Sequence, residues 1–150
     1  MSETKNKILG FFDENRFLSN FYPCKITING HDFSSVECAY QAQKFPLSDW
    51  YKISKMSPGQ AKQYGRSYIF SLSVSFKLDI MYLLLKMKFS SPNNELLQKL
   101  LDTGDSELIE LNTWGDRFWG MELVDGELVG KNHLGKLLMR VRMEHSLYEY

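Results

Sequence analysis

The amino-acid sequence predicts an α+β fold in which a single, mostly helical domain surrounds a small β-sheet. The chain has 150 residues, which suits one domain, and we expect that domain to span residues 1–150. Hydrophobic residues make up 43% and charged residues 24%, as in ordinary globular chains. Strand patterns occupy the first third and return in the last third, and helical patterns lie between them. This order differs from the regular strand–helix alternation of a parallel sheet.

Two hairpins and two further strands are predicted. Asn29-Gly30 and Asp125-Gly126 are dipeptides that tolerate positive φ, so each predicts a two-residue turn between short strands. The hairpins are expected over residues 24–33 and 121–130. The further strands are expected over residues 7–12 and 108–111, where apolar residues cluster.

The helices are predicted from capping residues and apolar spacing. Ser34 stands three residues before Glu37, the spacing of a capping box, and Pro46 ends that first helix. Ser57-Pro58 starts a later helix, with Gly65 as its expected stop, and Ser91-Pro92 starts another. The helical segments are expected at residues 34–45, 49–56, 58–64, 75–89, 91–104 and 134–147.

Charge and composition exclude several classes of protein. Eighteen basic residues balance eighteen acidic ones, so the whole surface is not built for nucleic acid or an anionic membrane. Apolar runs are too short to cross a bilayer, and the start lacks the apolar run of a signal peptide, so we expect a cytoplasmic protein. Cys24 and Cys38 are expected to be buried and reduced. The scattered histidines predict no metal site and no cofactor.

Three segments carry residues suited to chemistry. In the first predicted helix Glu37, Gln41 and Lys44 fall on one face; they could bind a polar ligand, or form a wet surface stripe. The segment Trp114–Gly120 makes a loop in which Trp119 could stack on a base, or serve only as core, with Asp116 pairing to Arg117 or capping the turn. The segment Gly130–Gly135 opens the last helix, where backbone N–H groups could receive an anion, although a plain cap by Asn132 fits the pattern better.

Together these segments resemble the NADAR (YbiA-like) family of N-glycosidases. The resemblance is carried by Phe17-Leu-Ser-Asn-Phe, Glu37-Cys-Ala-Tyr-Gln-Ala-Gln-Lys, Asp116-Arg-Phe-Trp-Gly and Asn132-His-Leu-Gly, from about Phe17 to Arg142. It implies an α+β fold and cleavage of a ribosyl C1′–N bond. It also implies a pocket in which Glu37 is the essential carboxylate, with Lys44, Asp116 and Trp119 beside it and Asn132 near the substrate.

The resemblance leaves the substrate open between two branches. One removes ADP-ribose from ADP-ribosylated guanine in nucleic acid, and the other hydrolyses phosphoribosylamino-pyrimidine intermediates of riboflavin synthesis. A third possibility is a reader that binds ADP-ribose without cleaving it. We expect Glu37, Lys44 and Asp116 to be catalytic, and the substrate-binding residues to be Ser19, Asn20, Tyr40, Gln41, Arg66, Trp119, Gly120, Lys131 and Asn132.

The sequence also suggests how each group acts. A carboxylate at Glu37 could stabilise the oxocarbenium character that develops at C1′ or activate water, and Asp116 could serve the leaving nitrogen. Lys44 could neutralise a phosphate or attack an opened ribose aldehyde. Basic residues after the Glu37 helix could form a patch for nucleic acid, or be ordinary surface charges: Lys52, Lys55, Lys62 and Arg66. We lean towards the ADP-ribose-linked substrate.

Overall fold

The computed structural model describes residues 6–68 and 71–147. Within that part the chain forms six α-helices and six short strands, in an order that confirms the α+β prediction. The chain divides into two compact units, one made of residues 6–19 and 98–147 and the other of residues 20–97. No helix in the described part of the chain is long and apolar enough to span a membrane.

The unit of residues 20–97 contains the first hairpin and most of the helices. Strands β2 (Ile26–Ile28) and β3 (His31–Phe33) pair antiparallel, and both turn residues, Asn29 and Gly30, have positive φ. That turn is the one the Asn-Gly dipeptide predicts. The helices that begin in this unit are α1 (Val36–Ala42), α2 (Trp50–Ser54), α3 (Pro58–Arg66), α4 (Val74–Lys88) and α5 (Asn94–Asp102), the last of which ends in the other unit.

Helix α1 lies at the centre of this unit, and every one of its residues is buried. It packs against α2, α3, α4 and β3. Its N-cap is Ser35, whose hydroxyl accepts a hydrogen bond from the Cys38 amide at 3.1 Å. The prediction that Ser34 and Glu37 form a capping box is therefore wrong, because the cap falls one residue later and leaves the Glu37 side chain available for another contact.

Two other helix boundaries also differ from the prediction. Ser57 caps α3 in a capping box with Gln60, as expected in outline, but the helix continues through Gly65 to Arg66. Gly65 therefore does not end the helix. Close packing accounts for the glycine, since a Cβ there would collide with the Gln41 side chain. Helix α5 begins at Asn94, two residues after Pro92.

Lys88, in the last turn of α4, is completely buried. Its ammonium nitrogen lies 5.1 Å from the centre of the Phe89 ring. Loss of hydration lowers the pKa of Lys88 to about 7, while interaction with Cys24 opposes the shift. Burial in turn raises the pKa of the Cys24 thiol. Both cysteines are free, but only Cys38 is fully buried; the expectation that Cys24 is buried too is wrong, because it is half-buried.

The unit of residues 6–19 and 98–147 is built on a parallel pair of strands. β1 (Lys7–Leu9) pairs with β4 (Glu107–Ile109), and α6 (His133–Leu147) packs on β4. β5 (Glu122–Val124) and β6 (Glu127–Val129) form the second predicted hairpin. Strand pairing is thus divided among three two-stranded ladders across the described residues.

Candidate active-site residues in two groups

Helix α1 holds a buried carboxylate in a defined position. Glu37 is only 8% exposed, and its Oε1 accepts a hydrogen bond from Nε2 of Gln41 at 2.8 Å, one helical turn later. The Glu37 amide donates to the backbone oxygen of Asn20 at 3.0 Å. The predicted placement of Glu37 and Gln41 on one helix face is therefore present, and both of these side chains are buried rather than solvated.

The two residues that hydrogen-bond Glu37 each carry a buried acceptor atom without a hydrogen-bond partner in the described part of the chain: Oδ1 of Asn20 and Oε1 of Gln41. The Asn20 amide group donates only a weak bond, to the sulfur of Met81 at 3.6 Å. A buried acceptor without a donor costs about 1–3 kcal/mol, and such groups concentrate at functional sites. Gln41 Oε1 faces Gly65, so the Asn20 oxygen is the better candidate to meet a donor from a ligand.

Lys44 lies just after α1, where the chain turns back on Gln41. It is half-buried, and its ammonium nitrogen is 5.6 Å from the centre of the buried Tyr40 ring. Burial lowers the pKa of Lys44; the Glu37 carboxylate opposes the shift, and the positive charges of Lys77 and Arg66 add to it. The cluster therefore combines one carboxylate with three cations, of which the sequence analysis missed Lys77.

The segment Trp114–Gly120 forms a turn that Asp116 organises. Oδ1 of Asp116 accepts hydrogen bonds from the amides of Phe118 and Trp119, at 3.1 and 2.8 Å. Of the two structural alternatives left open for Asp116, capping is the one present, because Arg117 pairs instead with Glu122 at 3.0 Å. That pairing lowers the pKa of Glu122.

The ring of Trp119 is therefore presented by a fixed turn. It is half-buried and meets Phe118 edge-on, with 4.8 Å between ring centres. Phe118 also contacts the imidazole of His133 at 4.6 Å. Burial lowers the pKa of His133, and Lys136 and Lys131 add to that effect.

The start of α6 is joined to this turn by four consecutive backbone hydrogen bonds. The amides of residues 131–134 donate to the carbonyls of Arg117, Gly120, Phe118 and Trp119, at 2.8, 3.2, 3.2 and 3.0 Å respectively. The suggestion that these N–H groups receive an anion is therefore wrong, since the loop already occupies them. Lys131 stays exposed beside them.

Asn132 is buried, and both ends of its side chain are engaged. Its Nδ2 donates to the Leu108 oxygen at 2.9 Å, and its Oδ1 accepts from the Glu110 amide at 3.0 Å. It has a positive φ of 53°, which asparagine tolerates better than most residues. Asn132 thus ties α6 to β4 and the residue after it.

Gly120 and Asn112 complete this group. A Cβ on Gly120 would collide with Glu110 and lie 2.7 Å from Nδ2 of Asn112. Asn112 itself is buried. Its side chain donates to the backbone oxygen of Asp116 at 2.8 Å and accepts from the backbone amide of Asp116 at 3.1 Å. Asn112 is not among the residues predicted from the sequence, although asparagine side chains often hydrogen-bond neighbouring backbone groups in turns.

The predicted residues thus form two groups. Asn20, Glu37, Tyr40, Gln41, Lys44 and Arg66 belong to the unit of residues 20–97, and Ser19, Asp116, Trp119, Gly120, Lys131 and Asn132 to the other unit. Ser19 follows directly on a 3-10 helix at Asp13–Leu18. Among the residues that the structure describes, no three His, Cys, Asp or Glu side chains are grouped to hold a metal ion.

Comparison with known proteins identifies the family. The chain is 37% identical to an N-glycosidase of Nostoc punctiforme over 84% of this chain and 83% of that protein. It is 34% identical to the N-glycosidase YbiA of Escherichia coli over 95% and 91%. It is also 37% identical, over 91% of its length, to a riboflavin biosynthesis protein of Vibrio vulnificus, of which it spans only 38%.

The same relationship appears in three dimensions. The NMR structure of Escherichia coli YbiA matches with a TM-score of 0.77 and 32% identity, covering 97% of this chain and 88% of that one. The family model described as the NADAR domain matches residues 5–145. The chain therefore belongs to the NADAR family.

Proposed function

We propose that this protein is an N-glycosidase that hydrolyses the C1′–N bond of a ribosylated base. The observation that carries the proposal is the buried Glu37 carboxylate, held by Gln41 and accompanied by Lys44. Relatives that match over most of their length are named N-glycosidases, which agrees with this chemistry.

In the proposed reaction the bond from C1′ to the base nitrogen breaks, and positive charge develops on the ribose. The Glu37 carboxylate stabilises that charge and accepts a proton from the attacking water. The hydroxyl of the water joins C1′, the leaving nitrogen takes up a proton from solvent or an acidic side chain, and Glu37 then releases the water proton to solvent. The unpartnered Asn20 oxygen suits a ribose hydroxyl, which can donate a hydrogen bond.

Asp116 has two possible parts in this reaction. Its two bonds from backbone amides support a positioning role for the turn that bears Trp119, whereas donation to the leaving nitrogen would need a proton on Oδ2. Asp116→Asn keeps an acceptor for the turn but cannot transfer a carboxyl proton. If Asp116 only positions the turn, Asp116→Asn should keep most of the wild-type turnover, while Asp116→Ala should lower it.

For Lys44 the two roles remain electrostatic binding and covalent attack. A pKa lowered by burial increases the neutral fraction of the amine, which a Schiff base requires. Incubation with substrate and cyanoborohydride would trap a covalent adduct, visible as an added mass on the protein. Lys44→Arg keeps the positive charge, so it preserves activity only if Lys44 acts electrostatically.

The proposed substrate is ADP-ribosylated guanine in nucleic acid. Lys77 and Arg66 both act electrostatically on Lys44, as Glu37 does, so several positive charges lie near Lys44, which fits a substrate with more than one phosphate. The alternative is a phosphoribosylamino-pyrimidine, because the Vibrio vulnificus relative, like another from Zea mays, is named a riboflavin biosynthesis protein.

The deciding experiment incubates the wild type and Glu37→Gln separately with ADP-ribosylated guanosine DNA and with the pyrimidine ribotide. Released base or sugar is identified by mass spectrometry. Gln at position 37 can still accept the Gln41 hydrogen bond, so the fold should persist, while turnover should fall by at least about a thousandfold. Full activity of Glu37→Gln would refute the mechanism.

A reader that binds without cleaving would give a different result. Calorimetry would then detect tight binding of ADP-ribose, while product chromatography of the same sample would detect no released base. If neither substrate is turned over and ADP-ribose binds tightly, the protein is a reader of ADP-ribose and the enzyme proposal is refuted.

A further inference from the structure

The surface of α2 and α3 concentrates positive charge in a chain whose net charge is zero. From Lys44 to Arg66 the sequence contains five cationic residues and one acidic residue, Asp49. Lys52 and Lys55 are exposed, and neither takes part in an ion pair within the described part of the chain. Their charges are therefore available to a ligand outside the protein.

Aromatic rings lie directly beneath these cations. The ammonium nitrogen of Lys52 is 4.8 Å from the centre of the Tyr64 ring, and that of Lys55 is 5.2 Å from the Tyr51 ring. The ammonium nitrogen of Lys62 likewise lies 5.7 Å from the centre of the Phe21 ring. Tyr51 is 67% exposed, so a planar group can reach its ring.

The aromatic surface continues from α3 towards the Glu37 helix. Phe45, just beyond α1, stacks on Tyr64 with 4.7 Å between ring centres and meets Tyr68 at 4.6 Å. Helix α1 packs against both α2 and α3. Lys44, next to Phe45, interacts with Glu37, so the rings and cations lead from the exposed surface to the proposed catalytic carboxylate.

We propose that this surface, made of Tyr51, Lys52, Lys55, Lys62, Tyr64 and Arg66, binds single-stranded nucleic acid next to the modified base. Cations close to rings, of which that of Tyr51 is exposed, match a strand in which phosphates alternate with stacking bases. The inference deepens the proposed function, because it rests on a nucleic-acid substrate and names how the flanking nucleotides are held. A pyrimidine ribotide has no flanking nucleotides to occupy the surface.

The test measures binding of unmodified, fluorescein-labelled oligonucleotides of about 15 nucleotides, by fluorescence anisotropy over a range of salt concentrations. Oligo-dT and oligo-U arms separate DNA from RNA, and a duplex of the same length tests strand preference. The surface contains four cations, and each is expected to contact one phosphate. Since single strands release about 0.7 counterion per contact, the slope of log affinity against log salt should be near −3.

The Lys52→Ala, Lys55→Ala double variant should make that slope shallower by about 1.4. Its affinity at low salt should fall by about tenfold or more. Tyr51→Ala should weaken binding by about fivefold to a hundredfold. Neither change should alter turnover of ADP-ribosylated guanosine as a free nucleoside. Circular dichroism would verify that each variant is folded.

The matched control is the Lys86→Ala, Lys99→Ala double variant. Lys86 and Lys99 are exposed helical lysines that lie over the rings of Tyr82 and Phe17, at 5.3 and 5.7 Å, but they belong to α4 and α5. This variant removes the same charge and the same kind of ring contact, and it should bind like the wild type.

Three results would overturn the inference: no binding of either single strand by the wild type, equal losses in the two double variants, or tighter binding of the duplex. Failure of the proposed function is distinguishable, because binding of an unmodified strand needs no hydrolysis. If the protein binds the strand but does not cleave ADP-ribosylated guanosine, the proposed binding surface is supported and the proposed activity is refuted.

Discussion

Lys88 allows a quantitative prediction, because its side chain is completely buried and its pKa is lowered to about 7. In the unfolded chain the same group has its ordinary value of 10.5. Between these two values the unfolded chain binds more protons than the folded one, so the free energy of unfolding rises with pH. The destabilisation due to Lys88 is fully present below pH 7 and is relieved as pH increases.

Integrating this difference in bound protons from pH 7 to 8.5 gives a gain in stability of roughly 1–2 kcal/mol from Lys88 alone. The upper limit stays below pH 9 because burial also raises the pKa of the Cys24 thiol, whose ionisation would act in the opposite direction. Lys88→Met removes the titrating group while keeping an unbranched side chain.

The assay is urea unfolding of the wild type and Lys88→Met at several pH values in that range. The difference in unfolding free energy between them should change by roughly 1–2 kcal/mol, with the wild type gaining as pH rises. Lys86 is exposed in the same helix. The unfolding free energy of Lys86→Met should therefore vary with pH in the same way as that of the wild type. Parallel curves for wild type and Lys88→Met would refute the argument from burial.

The remaining predictions concern packing and bracing. Gly65→Ala should destabilise the protein by about 1–3 kcal/mol, because its Cβ collides with Gln41; Gly59→Ala in the same helix meets nothing within 4 Å and should stabilise it by about 0.5–1 kcal/mol. Chemical denaturation of the two variants checks both signs. Asn132→Ala loses bonds of 2.9 and 3.0 Å and should cost about 2–3 kcal/mol; an unchanged denaturation midpoint would contradict the bracing role.

Local signals in the sequence predicted the turns and several helix ends. Asn29-Gly30 and Asp125-Gly126 adopt positive φ at both positions, because few other dipeptides tolerate it. Ser57 caps α3 through contacts that span only three residues. These features depend on neighbours in the chain, and so they can be inferred without knowing the fold.

Features that depend on distant residues were not predictable. The parallel pairing of β1 with β4 joins segments about a hundred residues apart, and nothing in either segment specifies the other. A glycine at the end of a helical pattern predicts a helix stop, and the contact of Gly65 with Gln41, a residue of another helix, leaves no local signal to the contrary. Lys88 has the charge of a surface residue, and only the packing around it reveals its burial.

The candidate site shows the same division. The spacing of Glu37 and Gln41 predicted that they share one helix face, since residues four apart meet on a helix. Lys77 is separated from Lys44 by α2 and α3, so its contribution to the cationic cluster had no local signal. Likewise the carbonyls that bond the amides at the start of α6 come from a loop twelve to fifteen residues earlier.

Those four loop-to-helix bonds have a consequence for motion. Amides of residues 131–134 can exchange with solvent only when their bonds to the carbonyls of residues 117–120 open. Because the bonds are consecutive, opening one end strains the rest, and the four amides should exchange with deuterium as a single cooperative group. The orientation of Trp119 is then as stable as the first turn of α6, so heat or denaturant that frays this turn should quench or shift the indole fluorescence before the chain unfolds as a whole.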